Sequence, residues 1–385
     1  MNRHRASNAH SRPVHRRQAQ TQQGPRHQTG DLMETPRDTS APPSDPQPNQ
    51  GAASAASHLA GSSPQRGRSS LSDGGNTGRR GDAIFKLASS GSGIALLVIM
   101  AAIAAFLTVR AVSAISADHG NFLTTSDWQT QADPITFGIA AIAIGTLISA
   151  VVAMVIAVPV ALGIALFISH YAPRRIAQAL GYVVDLLAAV PSIVFGLWGA
   201  LFLVPHMIGV NAWLNQYFGW TYIFHQNEPG TQPRSLFTVG IVLAIMILPI
   251  ITAVSREIFL QVPRAHEEAA LALGATRWEM IRTAVIPFGR SGIISASMLG
   301  LGRALGETMA VATVLSPSYV INLHILDPAG STIAQTIANQ FGESQGTGRD
   351  ALIAAGLVLF VITLLVNGAA RLIIARRKEY SGADA

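Results

Sequence analysis

The 385-residue sequence contains no cysteine, which excludes disulfide bridges, thiolate metal ligands and thiol nucleophiles together. It has only two lysines, Lys86 and Lys378, and neither follows a glycine. A Walker A loop, G-x-x-x-x-G-K-[ST], needs a lysine directly after glycine to reach the phosphates. The chain cannot hydrolyse ATP by that route, so any energy from ATP must come from a partner. Charge is scarce as well: 12% of residues are Asp, Glu, Lys or Arg, against about 25% in soluble domains. With 49% hydrophobic residues and a mean hydropathy of +0.35, the composition is that of a membrane protein. The apolar runs hold no nucleophile–base pair. His206, His225 and His324 lack the spacing of a metal site, so neither enzymatic chemistry nor a bound metal is expected.

The net charge of +6 has an explanation other than nucleic acid, because arginines gather at the ends of the apolar runs, as they do beside the cytoplasmic ends of membrane helices. Residues 1–82 are rich in Arg, Gln, His, Ser, Pro and Gly. Six arginines (Arg3, Arg5, Arg12, Arg16, Arg17, Arg26) precede the first acidic residue, Asp31. So few large apolar side chains cannot offset the entropy of ordering, and a disordered cytoplasmic tail is expected.

Six apolar stretches are long enough to span a bilayer, at about 20 residues each. They fall near 91–109, 137–168, 182–205, 236–255, 291–315 and 351–370. With both termini cytoplasmic, the inner flanks hold fourteen basic residues, including Arg174, Arg175, Arg256, Arg264, Arg277 and Arg282. The outer loops hold only Arg110, Arg234 and Arg349, which fixes that orientation by the positive-inside rule.

The segment 264–287, between the fourth and fifth spans, carries the sharpest local pattern. Arg264 to Leu273 reads as a short helix with Glu267 and Glu268 in its early turns, where the helix dipole favours acids. Gly274 supplies the left-handed residue that ends it. Ala275 leads into Thr276, which with Glu279 fits a capping box opening a second helix, and Pro287 stops or bends that helix. The result is either a compact knob suited to a cleft on another protein or an ordinary amphipathic loop.

Within the fifth apolar run lie Arg303 and Glu307, one helical turn apart and so expected on the same helix face. A charge near the bilayer centre costs at least ~2.5–3.5 kcal/mol, so such residues face protein or water. Arg303 suits an oxyanion, since its guanidinium stays charged and offers a fork of donors. Glu307 would orient that anion or accept a P–OH proton, a proton that sulfate lacks. The alternative is a structural ion pair. Asp185 is a candidate for a gating network or a solvated membrane-end carboxylate. Ser192, beside Pro191, is a candidate pathway hydroxyl at a helix break or part of a simple bend. Gly300, Gly302 and Gly306 are expected to permit close helix packing. Trp128, Trp213 and Trp220 are expected to anchor at the membrane interface.

Glu268-Ala269-Ala270, then Gly274, then Pro287 resembles the EAA motif of ABC-importer permeases, E-A-A, three residues, G, nine residues, I-x-L-P. Ala284 and Ile286 depart from its Ile and Leu without touching the glycine elbow. The stretches 186–198 and 300–311 are similar to PstC-type permeases of phosphate-specific ABC importers. The resemblance covers residues 83–378 and not the tail. It implies an all-α membrane protein with six transmembrane helices of the type I, MetI-like kind. It further implies a PstA-type second permease, two PstB-type ATP-binding subunits that use ATP and Mg, a PstS-type external phosphate-binding protein, and a location in the cytoplasmic membrane. Molybdate, tungstate or sulfate as cargo, and a membrane protein that signals phosphate status, are the alternative readings.

Overall fold

The computed structural model describes residues 77–118, 120–129, 136–227, 230 and 233–378 of the chain. The expected tail therefore falls outside the described residues, apart from 77–82, which already belong to the first helix.

Six described helices are long and apolar enough to cross a membrane: Gly81–Ala117, Ala140–Tyr171, Ser192–Phe218, Leu236–Leu260, Arg277–Leu305 and Thr347–Leu372. Helix α1 (Thr77–Ala117) turns nearly all its apolar side chains outward, an arrangement stable only in lipid or against another chain. Near its far end Ala111 and Ala114 are buried in a cluster with Ala351 and Ala354 of α12 (Thr347–Lys378).

Helix α2 (Ala140–Leu166) carries an alanine stripe, Ala150, Ala153, Ala157 and Ala161, fully buried against α6 (Leu236–Leu260). Small side chains let the two backbones approach closely, which is how membrane helices gain packing contact without a hydrophobic driving force. Thr252 of α6 donates to the Ala161 carbonyl across this seam, at 3.4 Å. Pro159 and Pro249 both sit inside unbroken helices. Helix α2 ends in a π turn, Phe167–Tyr171.

The third span differs from expectation. Residues 182–205 are not one helix: an amphipathic α3 (Arg174–Ala188) ends, Ala189 to Pro191 break the chain, and α4 (Ser192–Trp198) starts afresh. Proline has no N–H to continue a helix and disfavours helical geometry in the residue before it. A π turn, Gly199–Leu203, joins α4 to α5 (Val204–Phe218).

The fifth span is shifted toward the sequence start. It begins at α8 (Arg277–Met280), passes through a π turn, Ile281–Val285, and continues as α9 (Ile286–Leu305). Pro287 therefore does not stop the helix, which continues through it after the π turn. The wider π turn relieves the clash that proline would make with the preceding turn. Past Leu305 the helix breaks, and α10 (Met309–Val314) is a separate short piece.

The segments expected as outer loops also fold. A two-residue hairpin, β1 (Trp128–Gln129) against β2 (Thr136–Phe137), and α11 (Ile333–Gln340) close over the ends of α1 and α12. Trp128 is buried there rather than anchored at a membrane surface; it stacks on Tyr319 and donates to Gln340 Oε1 at 2.7 Å. Trp213 and Trp220 remain exposed.

Candidate functional site

The segment between the fourth and fifth spans forms the expected elbow. Helix α7 (Arg264–Ala272) ends at Gly274, whose φ is +85°. The N–H of Gly274 donates to the Leu271 carbonyl at 3.0 Å and that of Ala275 to the Ala270 carbonyl at 3.2 Å, the paired bonds of a Schellman motif. Thr276 then caps α8: its hydroxyl accepts from the Glu279 N–H, and the Glu279 carboxylate accepts from the Thr276 N–H at 2.8 Å. Beneath the elbow Met280, Ile281 and Val285 pack with Phe259, Val262 and Ala165, with Ala270 against them. On top, Glu268 and Ala269 face outward, Leu273 is 90% exposed and Trp278 56%. Capped helices on a firm base with bare apolar tips have the form of a docking element rather than of a slack loop.

A contact that the sequence did not reveal holds this elbow to the second span. His170, in the π turn after α2, has its Nε2 3.4 Å from Glu267 Oε1, while its Nδ1 is 2.7 Å from the Ser169 hydroxyl. Nothing local signals it, because the partners are about a hundred residues apart.

At the far end of α9 the expected pairing of Arg303 with Glu307 does not form. Arg303 belongs to the last turn of α9, whereas Glu307 lies beyond the Gly306 cap, in the break before α10. Glu307 is buried and its Oε1 accepts from the Ala310 N–H at 3.1 Å, so it caps α10 instead of meeting the guanidinium. Arg303 is half-buried, and its Nε is enclosed without a hydrogen-bond partner. It opens on a cleft of about 560 Å³ between α6, α9 and α12, whose other polar lining is Ser295 and Asn367. A buried guanidinium nitrogen without a partner is costly, and it marks a place where an anion would be welcome.

Ser192 is the first residue of α4, half-buried at the other break. One turn on, Gly196 packs on α10 so closely that a Cβ would lie 2.7 Å from Ala310 Cα. Gly199, just past α4, likewise meets Val314 at the end of α10, so the two short helices that follow the breaks at 189–191 and 306–308 pack on each other. Asp185 is not brought to this level. It sits on exposed α3, lining a different cavity with Arg174 and Arg256. Of the three glycines on this stretch, only Gly300 serves close packing, with Ile251 Cδ1 2.7 Å from where a Cβ would be; Gly302 and Gly306 have open space or only local backbone beside them.

Beyond these breaks, Asp327 gathers the loops expected to face outward. It accepts from the N–H of Asn227 at 2.9 Å, from the Asn227 side chain and from Asn322 at 2.9 Å, and lies 3.4 Å from His324 Nδ1. Burial would raise its carboxyl, but the bonds from Asn322 and Asn227 and the charge of His324 together hold it below the usual carboxylate range.

Residues 157–379 match the family described as "Binding-protein-dependent transport system inner membrane component". The phosphate transport system permease protein PstC 2 of Mycobacterium tuberculosis is 49% identical over 300 residues, 77% of this chain and 92% of that one. The phosphate transport system permease protein PstC of Mycobacterium leprae is 45% identical over 298 residues, 77% and 93% of the two chains. That of Xylella fastidiosa (strain Temecula1) is 40% identical over 305 residues, 78% and 93%. Among solved structures, an inward-facing MetNI methionine ABC transporter is 17% identical, covering 62% of this chain and 94% of that one, with a TM-score of 0.41.

Proposed function

This chain belongs to the family of binding-protein-dependent transport system inner membrane components, and from that premise we infer that it is a permease subunit of an ATP-driven importer of inorganic phosphate. The observation that carries the substrate is the 49% identity, over most of both chains, to a phosphate transport permease. As a permease it is a multi-pass membrane protein and works in a complex with other subunits.

The partners follow from the resemblance to PstC-type permeases, and the working parts are read from the geometry. A second, PstA-type permease completes the pathway. Two PstB-type subunits bind and hydrolyse ATP with Mg, and a PstS-type external protein delivers phosphate. The elbow from Arg264 to Pro287 docks on an ATP-binding subunit through Glu268, Ala269, Leu273 and Trp278. From Arg277 to Arg303 the helix is unbroken, a rod of roughly 40 Å at 1.5 Å per residue. Closure of the ATP-binding subunits therefore reaches Arg303 as a displacement of one rigid element. The break at 306–308 lets that element move while the outer cap stays folded.

Arg303 receives the anion. The amino groups of its guanidinium suit the oxygens of phosphate. Glu307 Oε1 is committed to capping α10, which leaves Oε2 to accept a proton from P–OH and so favours phosphate over sulfate. Ser192 stands at the adjacent break as a hydroxyl donor, and Asp185 acts nearer the elbow end. Both termini lie in the cytoplasm, and the six spans sit in membrane lipid.

The test is radiolabelled phosphate uptake at low external concentration in cells lacking the gene, rescued with wild type or Arg303→Ala and challenged with sulfate, molybdate and tungstate. Rescue by wild type alone, untouched by the competitors, supports the reading. Unaltered uptake on deletion, or strong competition by another oxyanion, transfers the chain to different cargo.

A further inference from the structure

Among the described residues two arginines have a buried Nε with no hydrogen-bond partner, Arg303 and Arg256. Arg256 lies in α6, six residues beyond Ile250, which lines the Arg303 cleft. That places it about 9 Å nearer the elbow end, at 1.5 Å per residue. It lines its own cavity of about 490 Å³, enclosed by the end of α2, by α3 and by α6.

The guanidinium of Arg256 is held in place. Its side chain is 18% exposed, and one amino group bonds Glu257 at 2.6 Å. Gly181 of α3 lies directly under Nη1, where any Cβ would overlap it. Helix α3 thus leaves a gap in its row of side chains at the point the guanidinium occupies. Glu257 is 57% exposed, so its pairing is weak and screened, and it uses one end of the fork only.

Donors dominate the rest of the lining. Arg174, Gln178 and Tyr182 join Arg256, against a single carboxylate, Asp185. Asp185 forms no ion pair with either arginine. The Ser169 hydroxyl is already committed, to the Ala165 carbonyl at 2.8 Å and to His170. Two guanidiniums, an amide and a phenol line one open cavity, the largely buried Arg256 side chain beside the exposed Arg174, Gln178 and Tyr182, and match a tetrahedral oxyanion bearing several acceptor oxygens. The one carboxylate accepts a P–OH proton or stays at the rim.

We propose that the cavity between α2, α3 and α6 binds a phosphate group, at a site separate from Arg303. The group is carried by free inorganic phosphate or by an anionic phospholipid headgroup; the chemistry of recognition is the same. Exposed Tyr182 and Leu260 at the cavity edge give acyl chains a place to lie in the second case. The site goes beyond the transport reading and does not depend on it.

The experiment uses the assembled transporter in nanodiscs, without the external binding protein, as wild type, Arg174→Gln/Arg256→Gln, Gly181→Ala and Arg303→Ala. Gly181→Ala keeps every charge and pushes only the flexible tip of Arg256 aside, so it tests the site even if the double variant fails to assemble. One arm measures radiolabelled phosphate binding in phosphatidylcholine nanodiscs. The other measures retention of phosphatidylglycerol by native mass spectrometry. Saturable ligand in either arm, weakened about tenfold or more by the double variant and by Gly181→Ala but kept by Arg303→Ala, establishes the site, and the arm identifies the source. Equal binding by all four proteins, loss only in Arg303→Ala, or no ligand in either arm overturns it. Phosphate uptake by wild-type cells is read separately, so failure of the transport reading is distinguishable.

Discussion

His170 Nε2 and Glu267 Oε1, 3.4 Å apart, tie the end of the second span to the first helix of the elbow. The elbow, continuous in the chain with the fourth and fifth spans, is thus also tied laterally to the second. A motion delivered to α7 is shared with the second span as well. Replacing His170 by Ala removes a polar contact of about 1 kcal/mol and loosens α7 from the end of α2. The complex should still assemble and hydrolyse ATP, with the phosphate moved per ATP reduced severalfold in proteoliposomes. An unchanged ratio would show the lateral tie to be idle.

Gly274 at φ +85° has open space where a side chain would sit, so only backbone strain opposes substitution. Gly274→Val places a β-branched residue in the left-handed region at a cost of about 1–2 kcal/mol or more. The elbow should lose its shape, and affinity-tagged permease should recover less ATP-binding subunit. Gly274→Asn, which tolerates that region, should lose far less. Normal assembly and uptake by the valine variant would contradict the docking role.

Arg303→Ala should cut phosphate uptake by more than about tenfold, as expected for loss of a charge-assisted bond to the passing anion. Complex recovery should be normal, because no ion pair among the described residues depends on the guanidinium. Arg303→Lys should not restore transport, since a point charge does not replace the fork. Loss of assembly in place of transport would mark a structural role.

The two roles of Glu307 separate by substitution. Glu307→Gln keeps an oxygen to cap the Ala310 N–H but cannot take a proton from P–OH. Glu307→Ala loses both. If the carboxylate senses that proton, the glutamine protein should be well folded yet slow with phosphate or permissive toward sulfate. Unchanged phosphate uptake and sulfate rejection in Glu307→Gln would confine the residue to capping.

Asp327 makes the outer cap acid-sensitive. Its carboxyl is held below the usual range, so it contributes stability above the ordinary carboxylate value and loses it as pH falls through its lowered one. Hydrogen-exchange protection at 222–227, taken relative to the intrinsic rate at each pH, should fall on acidification, as Asn227 and Asn322 lose their shared acceptor. Asp327→Asn should show lower protection at neutral pH and little further loss in acid. Identical pH profiles for the two proteins would refute this.

Sequence by itself determined the features whose signals are local. Six spans follow from hydropathy. The elbow follows because Gly274, Thr276 and Glu279 act within a single turn: left-handed backbone and a capping box need no distant partner. The arginine in the fifth run was visible for the same reason, as a charge among apolar residues.

Tertiary structure decided what depends on distant neighbours. Windowed hydropathy averages across a helix break, so it joined 182–205 and 291–315 into single spans and put Arg303 and Glu307 on one face. In the fold, packing of α4 on α10 stabilises both breaks, Glu307 turns to cap the second, and Arg303 is left alone in its cleft. Trp128 is buried by Tyr319 and Gln340, His170 finds Glu267, and Arg256 finds the gap at Gly181. Each partnership spans tens to hundreds of residues, where sequence spacing carries no geometric information and only the packed chain brings the groups within reach.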